Sequence, residues 1–320
     1  MIRSMNSHTL TIDDTSVEKS GKLISNYFVL RTASGDNKIV INGGTIESTG
    51  SYALIGLAGS SIEINGGDIA STYYAVVGTG EGVNITMNDG SIQGNPVGLQ
   101  VSDGAVFNMN GGEVDATKWG IIAFANTEVN MNGGIVNATD SSSIGISGNG
   151  STSGDNEGTN AKLTLNAGTI NSGNLGVYAP QVNGVTTLGE GITINAAKCG
   201  VEVRAGTLNV NGATISVPAD AEYVFSPNGN GSTASGVAIA VSQHTTKQAI
   251  SANVNSGNFT APVVFGESNP QNNNEEDVAK VELSITGGTF NATNGDPIVS
   301  SEDVTGFITG GTYNKDLDEK

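Results

Sequence analysis

Short apolar–polar–apolar alternations recur along the whole chain, and each runs into the same punctuation. Ile39 and Ile41, Ile62 and Ile64, Ile85 and Met87, Phe107 and Met109, and Val129 and Met131 precede Asn-Gly-Gly or Asn-Asp-Gly at 42–44, 65–67, 88–90, 110–112 and 132–134. Successive tripeptides stand 23, 23, 22 and 22 residues apart. Relatives follow at 166–168, 211–213, 255–257, 286–288 and 309–311, with Leu165, Val210, Val254, Ile285 and Ile308 as the preceding apolar anchors. Period-two alternation before a turn signal predicts a strand with one face inward and one outward.

Just past each tripeptide stands a second apolar column: Ile46, Ile69, Ile92, Val114, Val136, Ile170, Ile215, Phe259, Phe290 and Tyr313. A third run follows in most repeats, as in Ala53-Leu54-Ile55, Gly120-Ile121-Ile122 and Gly200-Val201-Glu202-Val203. Three short strands per 22–23 residues describe one triangular coil, which stacks on its neighbour in parallel register. Val185-Thr186-Thr187 fits the anchor strand of a less regular coil and divides the interval 165–210 into 22 and 23; Leu10-Thr11-Ile12-Asp13 starts an N-terminal coil. About eleven or twelve coils, at about 4.8 Å each, predict a rod roughly 50–60 Å long.

The predicted fold class is therefore all-β, a parallel β-helix solenoid forming one domain over 1–320. Its parts are an N-terminal coil and cap at 1–38, regular coils over 39–314 and a tail at 315–320. The Asn column before the glycines is expected to tolerate a left-handed corner and to hydrogen-bond from coil to coil. The Gly column (44, 67, 90, 112, 134, 168, 257, 288, 311) is expected to supply positive φ.

The Ile-x-Ile-Asn-Gly-Gly-Thr-Ile pattern resembles right-handed parallel β-helices of the pectin-lyase-like class. It is still more similar to Gly/Asn-rich repeats of bacterial surface, adhesin-like proteins, closest at Ser-Ile-Thr-Gly-Gly-Thr-Phe-Asn (284–291) and Ile-Thr-Gly-Gly-Thr-Tyr-Asn (308–314). The resemblance covers about residues 10–314 and implies a right-handed helix. It implies no single activity, because this scaffold carries lyases, hydrolases, adhesins and phage spikes alike.

Three insertions, near 147–160, 226–236 and 267–279, are rich in small polar and acidic residues. Counted from the preceding anchors, all three are expected to leave the rod at one corner, between the third strand and the next anchor strand. They contain no His, Arg, Tyr or Trp. No amphipathic capping helix stands out at either end, so the ends call for a capping neighbour domain or a homotrimer.

Composition narrows the partners. A formal net charge of −18, with three Arg among 13 basic residues, argues against nucleic acid and anionic lipid. No apolar stretch is long enough for a membrane helix, and no secretory leader stands at the N-terminus. One cysteine, Cys199, rules out an internal disulfide framework. Calcium-loop and histidine-pair motifs are absent, so no metal or other cofactor is expected. Asp13-Asp14 occupies a corner and reads as a turn, and His8 and His244 as ordinary polar residues.

Two groups remain as candidates. Tyr52, Tyr73, Tyr74 and Trp119 recur at matching places in their coils, with Pro96 at the intermediate one, where aromatic faces on one flank would suit the stacking of sugar rings. Lys198, Glu202 and Arg204 would project from one outer face, with a surface ion pair as the plainer reading. The leading expectation is a non-catalytic extracellular or cell-surface rod, structural or adhesive, meeting a glycan or a host surface protein along one flank. A phage virion spike or head fibre, and a carbohydrate-active lyase or hydrolase, are the alternatives.

Overall fold

The computed structural model describes residues 1–18, 20–148, 150, 158–226, 234–301 and 304–317. The alternating pattern folds as predicted, into a right-handed parallel β-helix with a 12-stranded and an 18-stranded sheet. The larger sheet comprises two faces of the rod, joined where single strands such as Glu128–Ala138 run through the corner. The anchor strands form the first face, the strands after the tripeptide the second, and the third runs make the 12-stranded sheet.

Register turns the sequence repeat into vertical columns. On the first face Ile12, Ile41, Ile64, Met87, Met109, Met131, Leu165, Leu188, Val210, Val254, Ile285 and Ile308 stand one above the next. The second face stacks Leu23, Ile46, Ile69 and Ile92 and continues to Phe259, Phe290 and Tyr313. The third stacks Leu30, Leu54, Val76, Leu99, Ile121 and Ile146 and continues to Phe265 and Ile298. Away from the two ends these side chains are fully buried in one continuous core. Each contributes about 1.5–3 kcal/mol of burial free energy, which is how so short a strand is held in place.

In the less regular coil the anchor is Leu188, not Thr187, so the interval divides as 23 and 22. Thr186 consequently points into the core between Leu163 and Leu208, and its hydroxyl has no hydrogen-bond partner. The N-terminal segment is more than a cap. Thr9–Ile12, Lys22–Ser25 and Leu30–Thr32 supply one strand to each face.

The Asn ladder exists, although its conformational reason differs from the expectation. Asn65 Nδ2 donates to Asn42 Oδ1 (3.1 Å), Asn88 to Asn65 (2.8 Å), Asn110 to Asn88 (2.9 Å), Asn132 to Asn110 (3.2 Å) and Asn166 to Asn132 (2.9 Å). None of these asparagines has positive φ. The left-handed residue of this corner is the glycine two positions later. At Gly134, with φ +85°, a Cβ would fall 2.7 Å from the carbonyl oxygen of Gly112. Left-handed asparagines do occur at another corner, where Asn126, Asn160 and Asn183 form a second ladder.

The insertions do not share one corner. Those near 147–160 and 267–279 follow third-face strands, Ile144–Ser147 and Val263–Ser268. The one near 226–236 precedes its third-face strand, Val237–Ser242. An antiparallel pairing of Val224–Phe225 with Ala234–Ser235 brackets most of it. The next anchor is 44 residues after Val210, so spacing alone does not say on which side of the third strand 226–236 lies. Residues 149, 151–157 and 227–233 of these insertions lie outside the described residues, as do 318–320 of the tail. The 267–279 insertion carries one turn of helix, Glu275–Val278, whose N-cap Asn274 accepts from the Asp277 backbone N–H.

Candidate functional site

The corner between the second and third faces carries a rail of aromatic rings. After the second-face strand Thr45–Ser48 the chain turns through Thr49, Gly50 and Ser51 into Tyr52; after Asp68–Ser71 it turns through Thr72 into Tyr73 and Tyr74. The buried hydroxyls of Ser48 and Ser71 fix these turns by bonding to the backbone, Ser48 Oγ donating to Tyr27 O (2.8 Å) and accepting from Ser51 N (3.1 Å). Tyr52 and Tyr74 each stand two residues before the paired Leu54 and Val76, so the aromatic residues fall in line although the turn after Ser48 is one residue longer. Ring centroids are 4.0 Å apart for Tyr27–Phe28, 5.6 Å for Phe28–Tyr52, 5.5 Å for Tyr52–Tyr73 and 4.3 Å for Tyr73–Tyr74. Tyr27 and Tyr73 are exposed, and Phe28, Tyr52 and Tyr74 are half-buried. Burial, and then the neighbouring tyrosines, raise the Tyr52 and Tyr74 hydroxyls above the ordinary range, so these rings are neutral at physiological pH.

The rail therefore joins Tyr52, Tyr73 and Tyr74 and extends to Tyr27 and Phe28, which the sequence reading missed. Their signal is their place in the N-terminal coil, two and three residues after Ser25 as Tyr73 and Tyr74 follow Ser71. Trp119 sits on the same corner two coils beyond Tyr74, with Val97 between them in register. The Lys118 ammonium lies 4.3 Å from the centre of its ring, a cation–π contact.

The polar candidates fare differently. Glu202 and Arg204 do pair, with Arg204 Nε donating to Glu202 Oε1 at 2.9 Å, but their side chains are only 0% and 3% exposed. The surface position expected for them is thus corrected: the pair is buried. Lys198 is exposed at the preceding turn and has no ion pair with either among the described contacts. Burial comes from a second apolar cluster on the outside of the third face, where Leu175, Cys199, Val237 and Val263 stack in register. Tyr223 and Phe225 of the hairpin region pack on this cluster, and a Cβ on Gly266 would come within 3.1 Å of both.

Around the pair, the Arg204 guanidinium lies 5.0 Å from the Tyr178 ring centre. Burial, reinforced by Glu202, drives the Tyr178 hydroxyl and the Cys199 thiol far above their usual values, so neither is an activated group. Burial and the Arg204 charge hold His244 below the usual histidine range. Next along the same face, the buried Glu267 carboxylate accepts from Gln243 Nε2 (2.9 Å), Ser301 N (2.8 Å) and Ser301 Oγ (2.6 Å), tying three successive coils together. Its oxygens are occupied by structural bonds.

Asp14 accepts from Ser16 N (3.0 Å), Ser16 Oγ (2.6 Å) and Gly21 N (2.8 Å), the bonding of a turn. Among the described residues no group of three or more His, Cys, Asp and Glu is placed to hold a metal ion, and no helix is long and apolar enough to cross a membrane. No family model matches the chain, and neither a curated protein nor a solved structure matches it.

Proposed function

We propose that this chain is a non-catalytic extracellular rod, structural or adhesive, that holds glycans on the flank carrying the aromatic rail. The observation that carries the reading is the line of five rings from Tyr27 to Tyr74, partly exposed and repeated coil after coil on a rigid support. Aromatic faces present apolar surface with little conformational freedom to lose, which suits the flat apolar faces of sugar rings. The sequence resemblance to Gly/Asn-rich surface repeats of the pectin-lyase-like scaffold agrees with an exposed location. Burial of the Glu202–Arg204 pair supports a non-catalytic reading, since a carboxylate that is 0% exposed does not meet a polysaccharide.

The test is a glycan array probed with the wild-type protein, Tyr73→Ala and Trp119→Ala. Binding that falls at least about tenfold in Tyr73→Ala, where one stacking face is lost, is the expected result. An array with no bound glycan, or binding unchanged in both variants, overturns the proposal.

A further inference from the structure

Beside the aromatic rail, on the outer side of the second face, runs an open groove of about 520 Å³ that crosses four successive coils and ends at a fifth. Its floor dips at Ala70, which presents only a methyl group between Glu47 and Gln93 on the outer column. It is continuous with the rail, because Ser71 and Thr72 line the groove and Tyr73 follows them directly. Glu47, Gln93 and Asp115 stand on it in a register column, Glu47 and Gln93 separated by Ala70. The groove has no Lys or Arg in its lining.

Several of these groups retain hydrogen-bonding capacity. Gln93 is exposed, and Asn95, whose Oδ1 accepts from Thr117 Oγ1 (3.0 Å), keeps its Nδ2 protons. Asp115 accepts from Asn137 through Oδ1 (2.8 Å), which leaves further lone pairs on the carboxylate. Carboxylates accept, amides and Thr hydroxyls donate, and a hydroxyl-rich molecule satisfies both. An anionic polysaccharide, by contrast, would bring its charges against Glu47 and Asp115 with no cation in the lining to receive them.

Resting on the glycan-binding reading above, we infer that the ligand is an uncharged oligosaccharide lying along the rod axis. Its ring faces rest on Tyr52 and Tyr73 while its hydroxyls bond to Glu47, Gln93 and Asp115 in the adjoining groove. The coil spacing of about 4.8 Å is close to the length of one sugar residue, so successive coils meet successive residues.

The experiment measures affinity for matched neutral and uronic-acid oligosaccharides of equal length, in wild type, Tyr73→Ala, Glu47→Gln and Asp115→Asn. The expected result is neutral ligands bound in preference. Loss of a charged acceptor in Glu47→Gln or Asp115→Asn is expected to weaken them about tenfold. Acidic ligands bound in preference and lost in Tyr73→Ala would overturn this inference and leave the aromatic flank standing as a glycan site. Neutral binding that depends on Tyr73 and is unaffected by both groove variants would also overturn it, by removing the groove from the site. Absence of binding to either class in the wild type would remove both readings together.

Discussion

Replacing Glu202 by Gln tests whether the ion pair on the third face is as enclosed as its geometry indicates. Arg204 Nε and Glu202 Oε1 are 2.9 Å apart and the two side chains are 3% and 0% exposed. With an effective dielectric constant of about 20, opposite unit charges at that distance attract by roughly 6 kcal/mol before desolvation is counted. Glu202→Gln keeps the shape and removes the charge that Arg204 Nε meets at 2.9 Å, beside the Tyr178 ring. Breaking a buried pair from one side costs about 3–5 kcal/mol. Removing both charges together, as Glu202→Leu with Arg204→Met, takes this pair out of the interior and is expected to return stability to within about 1–2 kcal/mol of wild type, or above it. Urea unfolding followed by circular dichroism reads both, as a shift in midpoint at constant slope. A Glu202→Gln midpoint shift worth less than about 1 kcal/mol would refute the burial argument, because only a screened surface pair is that weak.

Two further predictions concern single groups. Thr186→Val replaces a core hydroxyl that has no partner with a methyl of similar size, and should raise stability by about 1 kcal/mol in the same unfolding assay; a loss would mean the hydroxyl is bonded. His244, held below the ordinary histidine pKa of 6.5 by burial and then by Arg204, is favoured in its neutral form by folding. Its contribution is therefore present above the ordinary histidine range and is lost as pH falls through the depressed folded value. An NMR titration of its ring should give a midpoint below 6.5, and a midpoint at or above it contradicts the packing of His244 near Arg204.

Most of the fold was legible because one physical constraint repeats. An inward apolar residue, an outward polar one and a glycine that must turn left-handed recur every 22–23 residues, so each coil confirms the register of the last. Legibility failed where that constraint slackened. At Val185-Thr186-Thr187-Leu188 the inward position is a threonine, and the spacing alone left the anchor one residue out. Spacing places the 226–236 insertion at the wrong corner because a hairpin before the third strand lengthens the coil as much as a loop after it does.

The same cause hid the burial of Glu202 and Arg204. Alternation of Val201, Glu202, Val203 and Arg204 predicts a solvated outer face. Yet the third strands read as nearly continuous apolar runs, as in Val237-Ala238-Ile239-Ala240-Val241, which is the pattern of a parallel sheet covered on both sides. The aromatic rail was half visible. Tyr52, Tyr73 and Tyr74 stand about ten residues after their anchors, whereas Tyr27 and Phe28 belong to a coil whose anchor, Ile12, is followed by a longer turn through Asp13 and Asp14. The groove beside the rail was not legible at all. It depends on Glu47, Ala70, Gln93 and Asp115 falling at one place in adjacent coils, and only the register brings them together.

Pairwise spin-label distances along one outer column test the stacked architecture most directly. Val40, Glu63, Thr86, Asn108, Asn130, Thr164, Thr187 and Asn209 are successive partners on the first face. Cys199 is fully buried, so introduced surface cysteines are labelled selectively. Paired with a label at position 40, labels at 130, 164 and 209 should lie about 19, 24 and 34 Å away, four, five and seven coils at about 4.8 Å each. The 34 residues from Asn130 to Thr164 should add no more distance than a single coil. Distances that follow sequence separation instead of coil number would contradict the account.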